Sequence, residues 1–258
     1  MSLECRNVSL TFHSRTGGDV SALENVSLRL AEEEFVCLVG PSGCGKTTLL
    51  KIMAGLLKPT SGEVDFAAGA NGRPRTAMAF QEHGLFPWMS VLDNVSFGLR
   101  MRGTSKPESR ERARAFIDQV GLTRFTLSYP HELSVGMRQR AGIARAFVTD
   151  PEMLLMDEPF GSLDALTKQV MQEELLRIWS EHRKLVVYVT HDIEEAVLLS
   201  DRVLVMSGRP GRILEEIDIP LSRPRDLRDR EQAHTIRIKR HIWEILEGQV
   251  RRNLGGAG

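Results

Sequence analysis

An α/β fold with a mostly parallel sheet follows from three features of the sequence. Short apolar runs of strand length end in polar residues: FVCLVG (35–40), MLLMDEP (153–159), LVVYVTHD (185–192) and VLVMSGRPGRI (203–213). Segments between them place apolar residues at helical spacing, as in KTTLLKIMAGLL. Uninterrupted apolar strands alternating with helices are covered on both faces, the arrangement of parallel sheets. With 258 residues, 41% hydrophobic and 26% charged, the chain has the size of one large domain or a core with an insertion.

The first run leads into the most specific motif. GPSGCGKT (40–47) fits G-x-x-x-x-G-K-[ST] between a strand and a helix, the context of a phosphate-binding loop. Gly40, Pro41, Ser42, Gly43, Cys44 and Gly45 form the turn whose amides face phosphate. Lys46 adds a point charge at the β and γ phosphates, and the Thr47 hydroxyl is a magnesium ligand, with Thr48 next on the helix. This reading makes the chain a nucleotide binder. Cys44 is either a small residue that fits the turn or a thiol made reactive by the helix N-terminus.

Residues 82–150 contain no strand-like run and read as a mostly helical insertion. Within them, LSVGMRQR (133–140) places Ser134 and Gly136 at the start of the helical AGIARAF, where exposed amides suit an anion. The chain therefore carries two phosphate-binding segments. Leu85, Phe86, Pro87 and Trp88 are clustered in an expected loop; they either form a surface for another protein or pack onto the insertion.

The next run ends in Asp157 and Glu158. Adjacent carboxylates at a buried strand end are costly without a cation or proton to handle. Beside a phosphate loop, Asp157 suits the magnesium side and Glu158 the base that polarises attacking water. His191 follows the strand LVVYV and would face the γ-phosphate, to contact it or to orient the water. Asp192 and Glu195 read as the cap and N3 acid of the following helix. From 214 onward the chain is polar and Arg-rich, with an amphipathic helix in RIKRHIWEILEGQVRR (237–252).

Thirty-four basic and 34 acidic residues leave no net charge, which argues against non-specific nucleic-acid binding. Three cysteines without a CxxC pair point to free thiols in a reducing compartment. No N-terminal apolar region suggests a signal peptide, and no run has membrane-span length. Work at a membrane would depend on other chains.

The ordered set GxxxxGKT, Gln81 in AFQEH, LSxG, LLMDEP, SLD and TH resembles the ATP-binding-cassette (ABC) ATPases over residues of about 5 to 213. The resemblance implies a P-loop NTPase: a RecA-like core with an inserted helical subdomain and an N-terminal antiparallel β part. The ABC ATPase domain would span 1–225, the helical subdomain about 82–150, and a short C-terminal helical extension 226–258. Lys46, Gln81, Glu158 and His191 become the catalytic set; Thr47, Gln81 and Asp157 hold Mg2+. Phe12 corresponds to the aromatic that stacks on adenine, with His13 the alternative. Ser162, Leu163 and Asp164 correspond to the dimer-interface loop. Ser134 and Gly136 would complete the ATP site of a second copy, so two segments per chain are halves of different sites.

Two departures stand out: Val135 replaces the usual glycine, and Met137 a common glutamine. Valine disfavours positive φ, so a turn needing it there would impair the site. YPHELS, GMRQRAGIARAF and THDIEEAVLLSDRVLVMSGRPGRI further resemble the nitrate/sulfonate/taurine importer ATPases. Such a subunit sits on the cytoplasmic face of the membrane, bound to a permease and served by a substrate-binding protein. The alternatives are another ABC system for small molecules or lipids, a soluble non-transport ABC ATPase, and a regulatory subunit without turnover.

Overall fold

The computed structural model of the protein describes residues 2–13, 17–66, 76–79, 84–161, 163–225 and 232–255. Two compact units are present: Met1–Gly69 with Lys184–Gly258, and Ala70–Arg183. The chain starts in the first unit with β1 (Leu3–Phe12), β2 (Val20–Leu30), β3 (Phe35–Val39), α1 (Lys46–Met53) and β4 (Ser61–Phe66). The second unit contains β5 (Thr76–Ala79), α2 (Val91–Met101), α3 (Lys106–Gln119), α4 (Val135–Phe147), β6 (Met153–Asp157) and α5 (Ala165–Glu181). The first unit resumes with β7 (Leu185–Val189), α6 (Ile193–Leu199), β8 (Arg202–Met206), β9 (Ile213–Asp218) and α7 (Ala233–Gly255).

In the first unit β3 lies between β7 and β8 and runs parallel to both. Every residue of β3 and β7 is buried, as their unbroken apolar sequences require. A separate antiparallel sheet has the order β2-β1-β4, the expected N-terminal β part. In the second unit β5 and β6 pair in parallel. Residues 84–150 form three helices and two short 3-10 turns, with no strand among the described residues.

Helix starts follow the sequence closely. Ser90, Ser105, Ser134, Asp164 and Asp192 each accept a backbone N–H in the first turn of α2, α3, α4, α5 and α6. Such caps stabilise a helix by about 1 kcal/mol each. The predicted C-terminal helix is α7, which turns Thr235, Ile238 and Ile242 inward at helical spacing.

The strand β9 occupies the start of the polar segment from 214 onward, where the sequence shows only an amphipathic helix further on. Its half-buried and exposed residues alternate, but the sequence with its charged Glu215, Glu216 and Asp218 hides this, because Leu214 is exposed and Glu215 half-buried. An edge strand tolerates those charges. Glu216 pairs with Arg202 at 3.6 Å and Glu215 with His241 at 2.7 Å.

Beyond β9, Arg225 ties the chain to the end of α6. Its side chain is fully buried and donates to the carbonyls of Val197, Leu198 and Ser200. Asp201 accepts from both Arg223 and Arg225, and also from the Phe35 N–H. Arg225→Ala leaves helix-end carbonyls without their donor and is expected to cost about 3–5 kcal/mol. Urea unfolding of the variant checks this; a loss under 1 kcal/mol (about fivefold in the folded ratio) would refute it.

Candidate nucleotide site

The helix α1 departs from the capping pattern. Its cap is Gly45, at φ 105°, which has no side chain to cap the first turn. A helix start of this kind, at the positive end of the helix dipole, suits an anion. The turn also demands glycine sterically: a Cβ at Gly45 would meet the Ala22 carbonyl oxygen at 2.8 Å. Lys46 is only 6% exposed, and its Nζ donates to the carbonyls of Gly40 at 2.8 Å and Pro41 at 3.0 Å. Its charge is folded back over its own loop, among carbonyls. Ser42 and Gly43 lie exposed at the apex, while Thr47 and Thr48 are half-buried on α1.

Cys44 resolves as the small buried residue. Burial pushes its thiol up, and the neighbouring Lys46 charge only partly opposes this. Cys5 is pushed up to about 12, and Cys37 also up, by burial. All three thiols are free and buried. Folded protein is therefore expected to resist a thiol-specific disulfide reagent at pH 8 and to react fully once unfolded. Rapid reaction of one thiol in the folded state would refute this.

Phe12 ends β1 at 45% exposure, so it is not a core aromatic; His13 beside it pairs with Asp19 at 2.9 Å. His191 is exposed immediately after Thr190 at the end of β7.

The second unit holds the remaining candidates. Asp157 is buried as the last residue of β6. Glu158 follows at φ 43°, a left-handed conformation that costs a non-glycine residue about 1–2 kcal/mol. The Gly161 N–H donates to the Glu158 carbonyl at 3.1 Å and closes this turn.

Ser134 caps α4, accepting the Met137 N–H at 3.3 Å. Val135 is the first residue of the helix and adopts negative φ, so valine is compatible with this turn. Asp164 caps α5 through the Thr167 N–H at 3.0 Å, and that bond holds its carboxyl below the usual range. Ser134, Val135, Gly136, Leu163, Asp164 and Thr167 line one cleft of about 750 Å³. The structure thus brings the two presumed interface segments together. Gln81 and Ser162 lie outside the described residues.

The apolar loop after Gln81 is partly packed and partly exposed. Phe86 is half-buried, edge-on to Phe97 at 4.8 Å, whereas Trp88 is 69% exposed. Asn94, which the sequence reading passed over, organises this loop. It accepts the Phe86 N–H at 2.7 Å and donates to the carbonyls of Phe86, Met89 and Ser90. It is fully buried, and because its partners lie in the preceding loop and at the start of α2, the letters of the helix carry no signal for this role. Among the described residues, no group of three or more His, Cys, Asp or Glu could hold a metal ion by itself. No described helix is long and apolar enough to cross a membrane.

Comparison with known proteins extends the geometry. The family described as ABC transporter matches residues 23–161. An uncharacterized ABC transporter ATP-binding protein of Methanocaldococcus jannaschii is 46% identical over 256 residues, covering 98% of this chain and 94% of that protein. The chain belongs to the ABC transporter family. It is an ATP-binding cassette, and cassettes of this family are ATP hydrolases. A taurine import ATP-binding protein of Roseobacter denitrificans is 45% identical over 255 residues, covering 95% of each chain. Its counterpart in Ruegeria pomeroyi is 46% identical over 220 residues, covering 84% of this chain and 82% of that protein. Among solved structures, the ATP-binding cassette MJ0796 gives a TM-score of 0.74 at 32% identity, covering 85% of this chain and all of that one. That cassette was solved as a dimer in a post-hydrolysis state bound to ADP and Pi.

Proposed function

We propose that this cassette is the ATPase of an importer, energising uptake of a small anion or an organosulfur or nitrogen compound through a separate membrane permease. Nitrate, sulfonates and taurine define the class. The observation that carries the reading is the match to taurine import ATP-binding proteins along nearly the whole chain.

In this reading the ATPase domain spans 1–225, with the helical subdomain at about 82–150 and a helical extension at 226–258. Lys46 exchanges its carbonyl partners for β and γ phosphate oxygens, and the N–H groups at the start of α1 donate to the same phosphates. Phe12 stacks on adenine. Thr47, Gln81 and Asp157 offer the hard oxygen donors that suit Mg2+, which when bound neutralises phosphate charge. Glu158 takes the proton of the attacking water, and His191 contacts the γ-phosphate.

Ser134 and Gly136 act in trans, on the ATP of a second copy related by a closed two-fold. The dimeric state of the related cassette supports this. Ser162, Leu163 and Asp164 lie at that interface. Trp88 and its neighbours meet the permease on the cytoplasmic face of the membrane, and a substrate-binding protein delivers the solute. Closure around ATP drives the permease, and hydrolysis reopens it.

The test is recovery of tagged Glu158→Gln chain from gently solubilised membranes with ATP. Co-purification of a polytopic permease is expected, whose paired binding protein should bind taurine, another sulfonate or nitrate. Recovery of soluble proteins alone would end the importer reading and leave the ATPase intact.

A further inference from the structure

A buried carboxylate stands next to the turn that carries His191. Glu195 is 4% exposed on α6, whose other buried residues, Ala196, Val197, Leu198 and Leu199, are apolar. A carboxylate in such surroundings is strongly disfavoured unless its oxygens are satisfied. Both are. The Tyr188 hydroxyl donates to Oε1 at 2.6 Å, and the Thr190 hydroxyl donates to Oε2.

The direction of the second bond is fixed by a third. Thr190 Oγ1 accepts the Asp192 N–H at 3.0 Å, so its single proton is left for Glu195. Burial and the Glu195 charge hold the Tyr188 phenol well above its ordinary pKa, so it remains a donor. Asp192 in turn accepts the N–H groups of Glu194 and Glu195 at 2.9 and 3.1 Å. Residues 190 and 192 are thereby fixed on either side of the exposed His191. The carboxylate of Glu195 does not serve as the back-reaching N3 acid of a capping box, since the Asp192 N–H goes to Thr190.

We infer that Glu195 is a positioning residue: through Tyr188 and Thr190 it fixes the backbone turn that presents His191 to the γ-phosphate. The inference rests on the reading of His191 given above. Glu195→Gln keeps the shape, but its amide nitrogen cannot accept from one of the two hydroxyls. Turnover then falls through His191 and ATP binding does not.

The experiment is a double-mutant cycle on the full chain, joined to NMR of histidine-labelled protein. Glu195→Gln is expected to lower kcat about tenfold, within the contribution of one positioned group, with KM for ATP little changed. In a His191→Ala background the same substitution is expected to change kcat no further. The chain has seven histidines, and the His191 signal is the one lost in His191→Ala. That signal is expected to shift in Glu195→Gln while the other six hold. An unmoved His191 signal, or an equal fall in kcat in both backgrounds, would overturn the inference. Full turnover by His191→Ala would instead remove the reading of His191, leaving the NMR result to decide positioning. Should Glu195→Gln not fold, Tyr188→Phe and Thr190→Val each remove one donor and are held to the same outcomes.

Discussion

Lys46→Ala is expected to abolish measurable ATP hydrolysis and to weaken ATP binding by about 100-fold or more, equivalent to roughly 2.7 kcal/mol. The size follows from what the ammonium does. A hydrogen bond to a charged group contributes about 1.5–3 kcal/mol, and Lys46 would make such bonds to phosphates carrying several charges. Removing it also strips the Gly40 and Pro41 carbonyls of a donor. A stability loss of about 1–3 kcal/mol is therefore expected alongside. The two effects separate in a thermal melt. Ligand that binds only the folded state raises Tm by mass action, so ATP should raise the Tm of the wild type and not that of the variant. A variant that starts lower and still rises with ATP would mean that Lys46 is structural, and unchanged ATPase would defeat the phosphate-loop assignment.

Such a residue is legible because its motif is local. Eight consecutive positions define the loop, and the burial of β3 and the start of α1 follow from the apolar run before it and the helical spacing after it. Ser134 and Asp192 are legible for a similar reason, since a cap side chain bonds a backbone N–H two or three residues on. Side chains that reach across elements are not. Glu195 has the sequence position of a capping-box acid, yet the hydroxyls of Tyr188 in β7 and Thr190 just after it draw its carboxylate inward. Asn94 is one of several polar residues in α2, and only the loop packed against it reveals its four bonds. The edge strand β9 is hidden because the apolar Leu214 is exposed and the charged Glu215 half-buried, which breaks the apolar–polar alternation. The question raised by Val135 was one of backbone geometry: as the first residue of α4 it adopts negative φ, which valine accommodates.

Glu158→Gln is expected to lower kcat by about 10²–10⁴, the usual contribution of a positioned general base, while ATP binding persists. The amide matches the carboxylate in shape but cannot take a proton from water at neutral pH. ATP should then hold two chains together, and elution in its presence should move from the 28.9 kDa monomer to twice that mass. Wild-type turnover by the variant would dismiss Glu158 as the base. A monomer under saturating ATP would instead dismiss the two-copy site and leave the base untouched. Backbone geometry gives a second handle. At φ 43° glycine would be the easier residue, because a side chain in that conformation costs about 1–2 kcal/mol, partly offset by the extra freedom of glycine in the unfolded chain. Glu158→Gly should therefore fold about as stably as the wild type and lose turnover as Glu158→Gln does. If glycine were strongly destabilising, packing by the Glu158 side chain would explain its presence. If glycine is tolerated, the strain is held for the carboxylate, as strained residues at active sites are.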